Sequence, residues 1–326
     1  MAALATDLAR RLQENVERVI VGNESASYAF VVALLGGGHI LIEGVPGTAK
    51  TLLVRTFAAL LAAPFRRIQF TPDLMPADVV GTTVFNPQTL AFSLRRGPIF
   101  TSILLADEIN RTPPKTQAAL LEAMEERQVT IDGERQPLPE FFVVCATQNP
   151  VEFEGTYPLP EAQLDRFFVR ARTGYPSEAE EAALLARSAA GFDARDLSAA
   201  GVAPIASPPD VLAAQREVRA LYVAASLQTY IGQIVTRTRR SPDLALGASP
   251  RAALAVQTAA QAAAAIEGRD FTTPDDVKSV AALVLAHRLL VAPEAEVEGV
   301  TAERVIERIL ATVEVPREVA RTASTA

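Results

Sequence analysis

Gly44-Val45-Pro46-Gly47-Thr48-Ala49-Lys50-Thr51 is a short loop holding two interior turn residues, a lysine and a hydroxyl, between the apolar run Ile40-Leu41-Ile42 and a helix-like stretch, Leu52 to Leu61. Those residue types at that spacing hold phosphates. Backbone amides between Val45 and Thr51 ring the anion at a helix N-terminus, Lys50 gives a point charge to the β and γ groups, and the Thr51 hydroxyl ligates magnesium. Ala49 stands where glycine is usual; a negative φ, as in a helix's first turn, accommodates it, whereas a positive φ would be strained. A second apolar run, Ile103-Leu104-Leu105-Ala106, ends in Asp107-Glu108. There Asp107 can hold magnesium through its water shell and Glu108 can polarise an attacking water. A glycine-rich turn or a helix cap explains either half alone. Both, in this order and each at a strand end, imply hydrolysis of a nucleoside triphosphate with bound Mg2+.

The elements that would position these groups can be read from periodicity. Up to about Thr173, apolar runs (His39–Glu43, Arg67–Phe70, Ile103–Ala106, Phe141–Ala146, Phe167–Arg170) alternate with helical patterns such as Lys115 to Arg127. Nearly continuous apolar strands between helices predict a parallel sheet covered on both faces. Tyr175-Pro176-Ser177 breaks the pattern, and from Glu178 onward only helix-like segments are predicted: Glu178–Ala189, Pro209–Thr238, Pro250–Glu267, Thr273–Leu290 and Ala302–Thr312. The expected division is an α/β body over residues 1–176 and an all-α lid over residues 177–326. Two excursions interrupt the body. Thr82–Phe85 and Leu90–Leu94 pair as a hairpin around Asn86-Pro87-Gln88, and Gln128–Ile131 opens another that turns at Asp132-Gly133.

Composition narrows the field. The 326 residues are 49% hydrophobic and 21% charged, which is globular, and the net charge of −7 argues against coating nucleic acid by bulk charge. The pairs Arg66-Arg67 and Arg95-Arg96, and Arg237 with Arg239-Arg240, read equally as solvated surface or local sites. One cysteine, Cys145, lies in an apolar run and reads as a buried strand thiol; His39 and His287 read as structural. No secretory leader is visible, and the most apolar window, Tyr28 to Leu35, is cut by Gly36-Gly37-Gly38 and too short to span a bilayer, so a soluble cytoplasmic protein without membrane insertion is expected.

Longer motifs carry a family resemblance over nearly the whole chain. Gly97-Pro98-Ile99-Phe100, Leu104 to Arg111, Pro113-Pro114-Lys115-Thr116-Gln117 and Leu120 to Met124 resemble the MoxR family of AAA+ ATPases. So do Ala146-Thr147-Gln148-Asn149-Pro150, the run Glu154 to Phe167, and in the lid Ser249-Pro250-Arg251-Ala252 and Gly268-Arg269-Asp270 with Asp275-Asp276-Val277. Alanine before the lysine is usual in that family, so Ala49 agrees with it.

The resemblance implies a P-loop AAA+ body followed by a helical lid, with roles for single residues. Asn149 matches the polar residue that orients water against the γ-phosphate, and Arg166 the arginine that reaches into a neighbouring subunit's nucleotide. Arg251 matches the arginine that senses the γ-phosphate from the lid, with ATP between body and lid. Val21-Gly22 resembles the segment that packs on adenine, and Gly44, Pro46, Gly47, Thr48, Ala49, Lys50, Thr51 and Leu52 line the phosphates. Thr71–Gly97 and Gln128–Pro139 match inserts facing the pore of a ring, where Phe85, Phe92, Arg95 and Arg96 are candidates to touch a client. Implied partners are further copies of the chain in a ring, expected to be a hexamer, a von Willebrand factor A domain protein, and a protein client. The implied activity is an ATP-driven remodelling chaperone. A DNA-translocating motor, a nucleotide-switched scaffold and a metal-chelatase ATPase subunit are the alternatives.

Overall fold

The structure, a computed structural model, describes residues 2–88, 90–149 and 155–317; Pro150 and Glu154, which belong to the motifs named above, lie outside these. The chain begins with two helices, α1 (Ala3–Glu17) and α2 (Glu24–Gly36), and then enters β1 (Ile40–Gly44), α3 (Lys50–Leu60), β2 (Phe65–Gln69) and α4 (Pro76–Val80). A hairpin of β3 (Gly81–Asn86) and β4 (Ala91–Arg96) leads to β5 (Ile103–Asp107) and α5 (Pro114–Glu126). A second hairpin, β6 (Gln128–Ile131) and β7 (Glu134–Pro137), leads to β8 (Val143–Gln148), α6 (Glu161–Leu164) and β9 (Val169–Thr173). The rest comprises α7 (Glu178–Ala189), α8 (Pro208–Arg219), α9 (Ala225–Thr238), β10 (Leu244–Leu246), α10 (Pro250–Ile266), α11 (Pro274–Leu285), β11 (Leu290–Val291), α12 (Pro293–Val297) and α13 (Ala302–Thr312).

Five strands form one parallel sheet in the order β2-β5-β8-β1-β9. The two-residue period of a strand divides its side chains between two cores. Ile40, Ile42, Ile103, Leu105, Val143, Cys145, Val169 and Ala171 point into one, which also holds α1, α2 and lid helices. Leu41, Ile68, Leu104, Ala106, Val144 and Ala146 point into the other, with Leu120, Leu121 and Met124 of α5 and Val129 and Ile131 of β6. This is the α/β sheet covered on both faces that the apolar runs predict. Both expected hairpins form, with Phe85 opposite Phe92 in the first and Asp132-Gly133 turning the second. Cys145 and His39 are buried; His39 Nδ1 accepts from the Val144 amide and Nε2 donates to the Met124 carbonyl, and burial depresses its pKa to about 4, keeping it neutral.

The lid departs from expectation in four places, one of them the short helix α12 (Pro293–Val297), which no expected segment covers. The segment expected over Pro209–Thr238 is two helices, because Tyr222 leaves the helix to form a bridge to Phe271. The segment expected over Thr273–Leu290 ends at Leu285, followed by a single 3-10 turn, Ala286–Arg288. The lid is not all helix, since Leu244–Leu246 and Leu290–Val291 pair as a short antiparallel ribbon. Entry signals work locally: Ser249 and Thr273 each cap their helix through the side-chain oxygen, accepting from the Ala252 and Asp276 amides.

Helices α8 and α10 pack against α1 and α2, so one continuous apolar core runs from the first helix through the sheet into the lid. Helix α2 is buried on nearly all sides, including Phe30, Val31, Val32, Leu34 and Leu35, because it lies between β9 and the lid helices.

Candidate active site

The phosphate loop, Asp107, Glu108 and Asn149 lie together at the carboxyl end of the sheet. The Gly44–Thr51 loop leaves the end of β1 and enters α3, aiming that helix's N-terminus into the loop. Gly44 is required by close approach, since a Cβ there would lie 2.4 Å from the Thr173 carbonyl oxygen of the adjacent strand. At Gly47 the φ is +83° and the space around it is open, which leaves a cradle for a ligand. The Lys50 ammonium, half buried, donates to the loop's own carbonyls at Gly44 (2.6 Å) and Val45 (2.8 Å). Burial lowers its pKa from the ordinary lysine value, and Asp107 and Glu108 pull it back up. Thr48 Oγ1 donates to the Val45 carbonyl and sits 2.9 Å from Thr173 Oγ1, pinning the loop to β9. Ala49 has φ +58°, in the left-handed region, the strained one of the two cases open to it. The physical reason is that a left-handed residue before the helix turns successive amides toward one cavity, the geometry that holds an anion.

Asp107 ends β5 and is almost wholly buried. Thr147 Oγ1 of β8 donates to its Oδ1 (2.6 Å), while Arg67 of β2 donates to Oδ2 through Nε (3.0 Å) and Nη2 (2.7 Å). Glu108, also left-handed at φ +58°, donates its amide to Thr147 Oγ1; its carboxylate accepts from Gln69 Nε2 (2.6 Å) and pairs with Arg111 (3.1 Å). Gln69 also accepts from Arg67, so the edge strand β2 grips both carboxylates at once. Arg67, Gln69 and Thr147 carry no local sequence signal for this role, and Arg67 reads as half of a solvated pair. Their common mark is register: Arg67 and Gln69 share one face of β2, with Gln69 level with Asp107.

Asn149 follows β8, whose Gln148 is level with Glu43 of β1, so Asn149 is buried beside the start of the phosphate loop. Val21-Gly22 lies between α1 and α2, and Asn23 links this turn to the loop through a 3.5 Å contact with the Thr48 carbonyl. Glu180 of α7 covers Gly22, and a cavity of about 70 Å³ lies beside it.

Arg166 and Arg251 are elsewhere. Arg166 precedes β9 at the amino end of the sheet, where the Phe168 amide donates to the His39 carbonyl. A five-residue strand, about 16 Å long, separates that end from the phosphate loop. Arg251, expected to sense γ-phosphate beside the loop, instead shares the Glu125 carboxylate with Arg166, at 2.6 Å and 3.2 Å. The cause is the packing of α10 on α2, which carries its first turn to the amino end of the sheet. These arginines, with Arg127, Asp165, Arg288 and Gly36-Gly37-Gly38, line a cavity of about 340 Å³.

The chain is similar to known proteins over nearly its whole length. Residues 39–169 match the family described as "ATPase family associated with various cellular activities (AAA)", and residues 236–309 match the AAA lid domain. The chain is 48% identical to the uncharacterized protein YeaC of Bacillus subtilis, covering 93% of both chains. It is 43% identical to Chaperone MoxR1 of Mycobacterium tuberculosis over 97% of this chain and 84% of that one. It also superposes on a crystal structure from Cytophaga hutchinsonii, provisionally described as an ATPase, with a TM-score of 0.87, 40% identity and 97% coverage of each chain. With the phosphate loop, the paired carboxylates and the helical lid in place, the chain belongs to the MoxR family of AAA+ ATPases.

Proposed function

We propose that the protein is a Mg2+-dependent ATPase that works as a ring, with each nucleotide site built from two subunits. The observation that carries this reading is the separation of charges: Lys50, Asp107 and Glu108 lie at one end of the sheet, Arg166 and Arg251 at the other. In one subunit the two sets are a strand length apart, whereas copies arranged head to tail bring one subunit's arginines to the next subunit's loop.

The donor set suits magnesium. Among the described residues no three acidic, histidine or cysteine side chains are grouped to hold a metal. One hydroxyl and one carboxylate, Thr51 and the Asp107 already held by Thr147 and Arg67, would hold a cation that keeps waters and phosphate oxygens in its shell, as magnesium does. When bound, the ion neutralises charge on the β and γ oxygens. Lys50 exchanges its carbonyl partners for phosphate oxygens. Asn149 orients the attacking water and Glu108 takes its proton, while the γ-phosphoryl group passes to that water and the bond to the β-phosphate oxygen breaks. Arg166 and Arg251 of the adjacent copy meet the negative charge that spreads over the transferring group. Val21 and Gly22 border the base.

Chaperone naming of a relative supports remodelling of a protein client. We further propose a hexamer, a von Willebrand factor A domain partner, cytoplasmic operation, a body of residues 1–176 moving against a lid, and client contact through the exposed Phe85, Phe92, Arg95 and Arg96 of the first hairpin. Among the described residues no helix is long and apolar enough to cross a membrane.

The test uses two variants. Glu108→Gln is expected to keep ATP affinity while turnover falls about 10²–10⁴-fold, since general-base catalysis supplies about that factor; wild-type turnover would remove Glu108 as the base. Arg166→Ala subunits mixed with Lys50→Ala subunits are expected to regain hydrolysis at mixed interfaces. No regain in confirmed mixed rings would place Arg166 outside a shared site.

A further inference from the structure

Arg288 is among the most deeply buried charges in the molecule, with 6% of its surface exposed, and the chemistry at the phosphate loop gives it no role. It lies in the 3-10 turn that ends α11, in the lid, yet its strong contacts are to the body. Nη1 is 2.9 Å from Asp165 Oδ1, paired by charge but misaligned for a hydrogen bond. Nη2 donates to the Phe167 carbonyl (2.8 Å). The neighbouring His287 donates to that carbonyl through Nε2 (2.9 Å), and the Ser249 hydroxyl, which caps α10, donates to Asp165 Oδ2 (3.0 Å). Three lid residues thus close on the two residues that flank Arg166 in the chain. A fourth, Arg251, shares Glu125 with the Arg166 side chain itself.

A merely structural tie between lid and body would not need these groups. A buried ion pair gives up two hydration shells, and apolar residues of similar volume usually hold two surfaces together at least as well. What polar contacts add is direction, because they fix one carboxylate and one carbonyl at set distances and angles. Here the fixed groups are the backbone and side chain on either side of Arg166.

We infer that Arg288 is a positioning residue for Arg166: through Asp165 and the Phe167 carbonyl, it makes the aim of Arg166 at a neighbouring subunit's nucleotide depend on the orientation of the lid. The inference rests on the proposed trans role of Arg166. It supplies a route by which the nucleotide state of one subunit, acting on its own lid, alters hydrolysis in the next.

Arg288→Met tests this in the full-length protein. Turnover per ring is expected to fall about 10–100-fold, the range that a misplacement near 1 Å produces, with KM for ATP within about twofold. The decisive arm mixes Arg288→Met with Lys50→Ala subunits. The former keep an intact phosphate loop and receive a well-aimed Arg166 from the latter, so hydrolysis returns at mixed interfaces. A role confined to stability, or to the subunit's own site, gives no such rescue, and its absence in confirmed mixed rings overturns the inference. So does wild-type turnover of Arg288→Met alone. Arg166→Ala is run in parallel: full activity there sinks the trans reading itself, whereas loss there beside unchanged Arg288→Met sinks only the positioning role. Should Arg288→Met fail to fold, Arg288→Lys, which keeps the charge but loses the forked donation, takes its place in the same mixture: rescue supports the inference and its absence overturns it.

Discussion

At the scale of single residues, the chemistry is concentrated where the backbone is strained. Ala49 and Glu108 both hold left-handed φ values near +58°, one in the phosphate loop and one at the end of β5. Such a conformation costs a residue with a Cβ about 1–2 kcal/mol. Ala49→Gly removes the steric part of that cost but adds freedom to the unfolded chain. The expected net effect is stabilisation of about 1 kcal/mol or less, measured by denaturant unfolding; a clear loss of stability would mean that Ala49 is not strained. Lys50, Thr51, Asp107 and Glu108 were legible because their chemistry depends on neighbours in sequence. Arg67, Gln69 and Thr147 were not, because they reach the same carboxylates from adjacent strands, and strand order and register are absent from any local pattern. Arg288 was hidden for the same reason, gaining its partners only when lid and body pack; Glu125 gains Arg251 in that way and Arg166 from across the body.

At the scale of elements, the inserts behave as a linked pair. The Asp132 carboxylate, at the tip of the second hairpin, accepts from the Thr83 amide (3.3 Å) and from the Thr83 hydroxyl in the first. Asp132→Ala is expected to speed exchange of the Thr83 amide about tenfold, equivalent to the ~1.4 kcal/mol of a charge-assisted bond, with the sheet unaffected. Unchanged protection at Thr83 in hydrogen exchange would show that the hairpins are independent. Both hairpins were legible from their turns, and the strands of the sheet from their apolar runs. Tyr28–Leu35 stands out as the most apolar window in the chain, yet neither the helix α2 that holds it nor what surrounds that helix is legible there. The break after Arg219 leaves no local mark in the sequence, because Tyr222 and Phe271 are joined across distant segments and a helical pattern continues on either side. The β10–β11 ribbon escaped for want of length, three residues against two.

At the scale of the whole molecule, body and lid share one core. A fragment ending at residue 176 would uncover the side of α2 that now faces α8 and α10, together with much of α1. Such a fragment is expected to be insoluble or to associate non-specifically on size-exclusion chromatography; a monodisperse, folded fragment would refute the shared-core account. The two-part division was legible where the alternation of strand and helix stops, but the depth of the junction was not, since apolar helices look alike in sequence whichever neighbour they serve. That junction has a mechanical meaning. Where α8 and α10 pack on α2 the contact is apolar, and helices packed in that way shift by slipping, ridge over groove, in small steps. In the proposed ring, a slip of that kind would displace the helices beside the phosphate loop and the arginines at the far end of the sheet together, coupling adjacent copies as a gear does and not as a jaw.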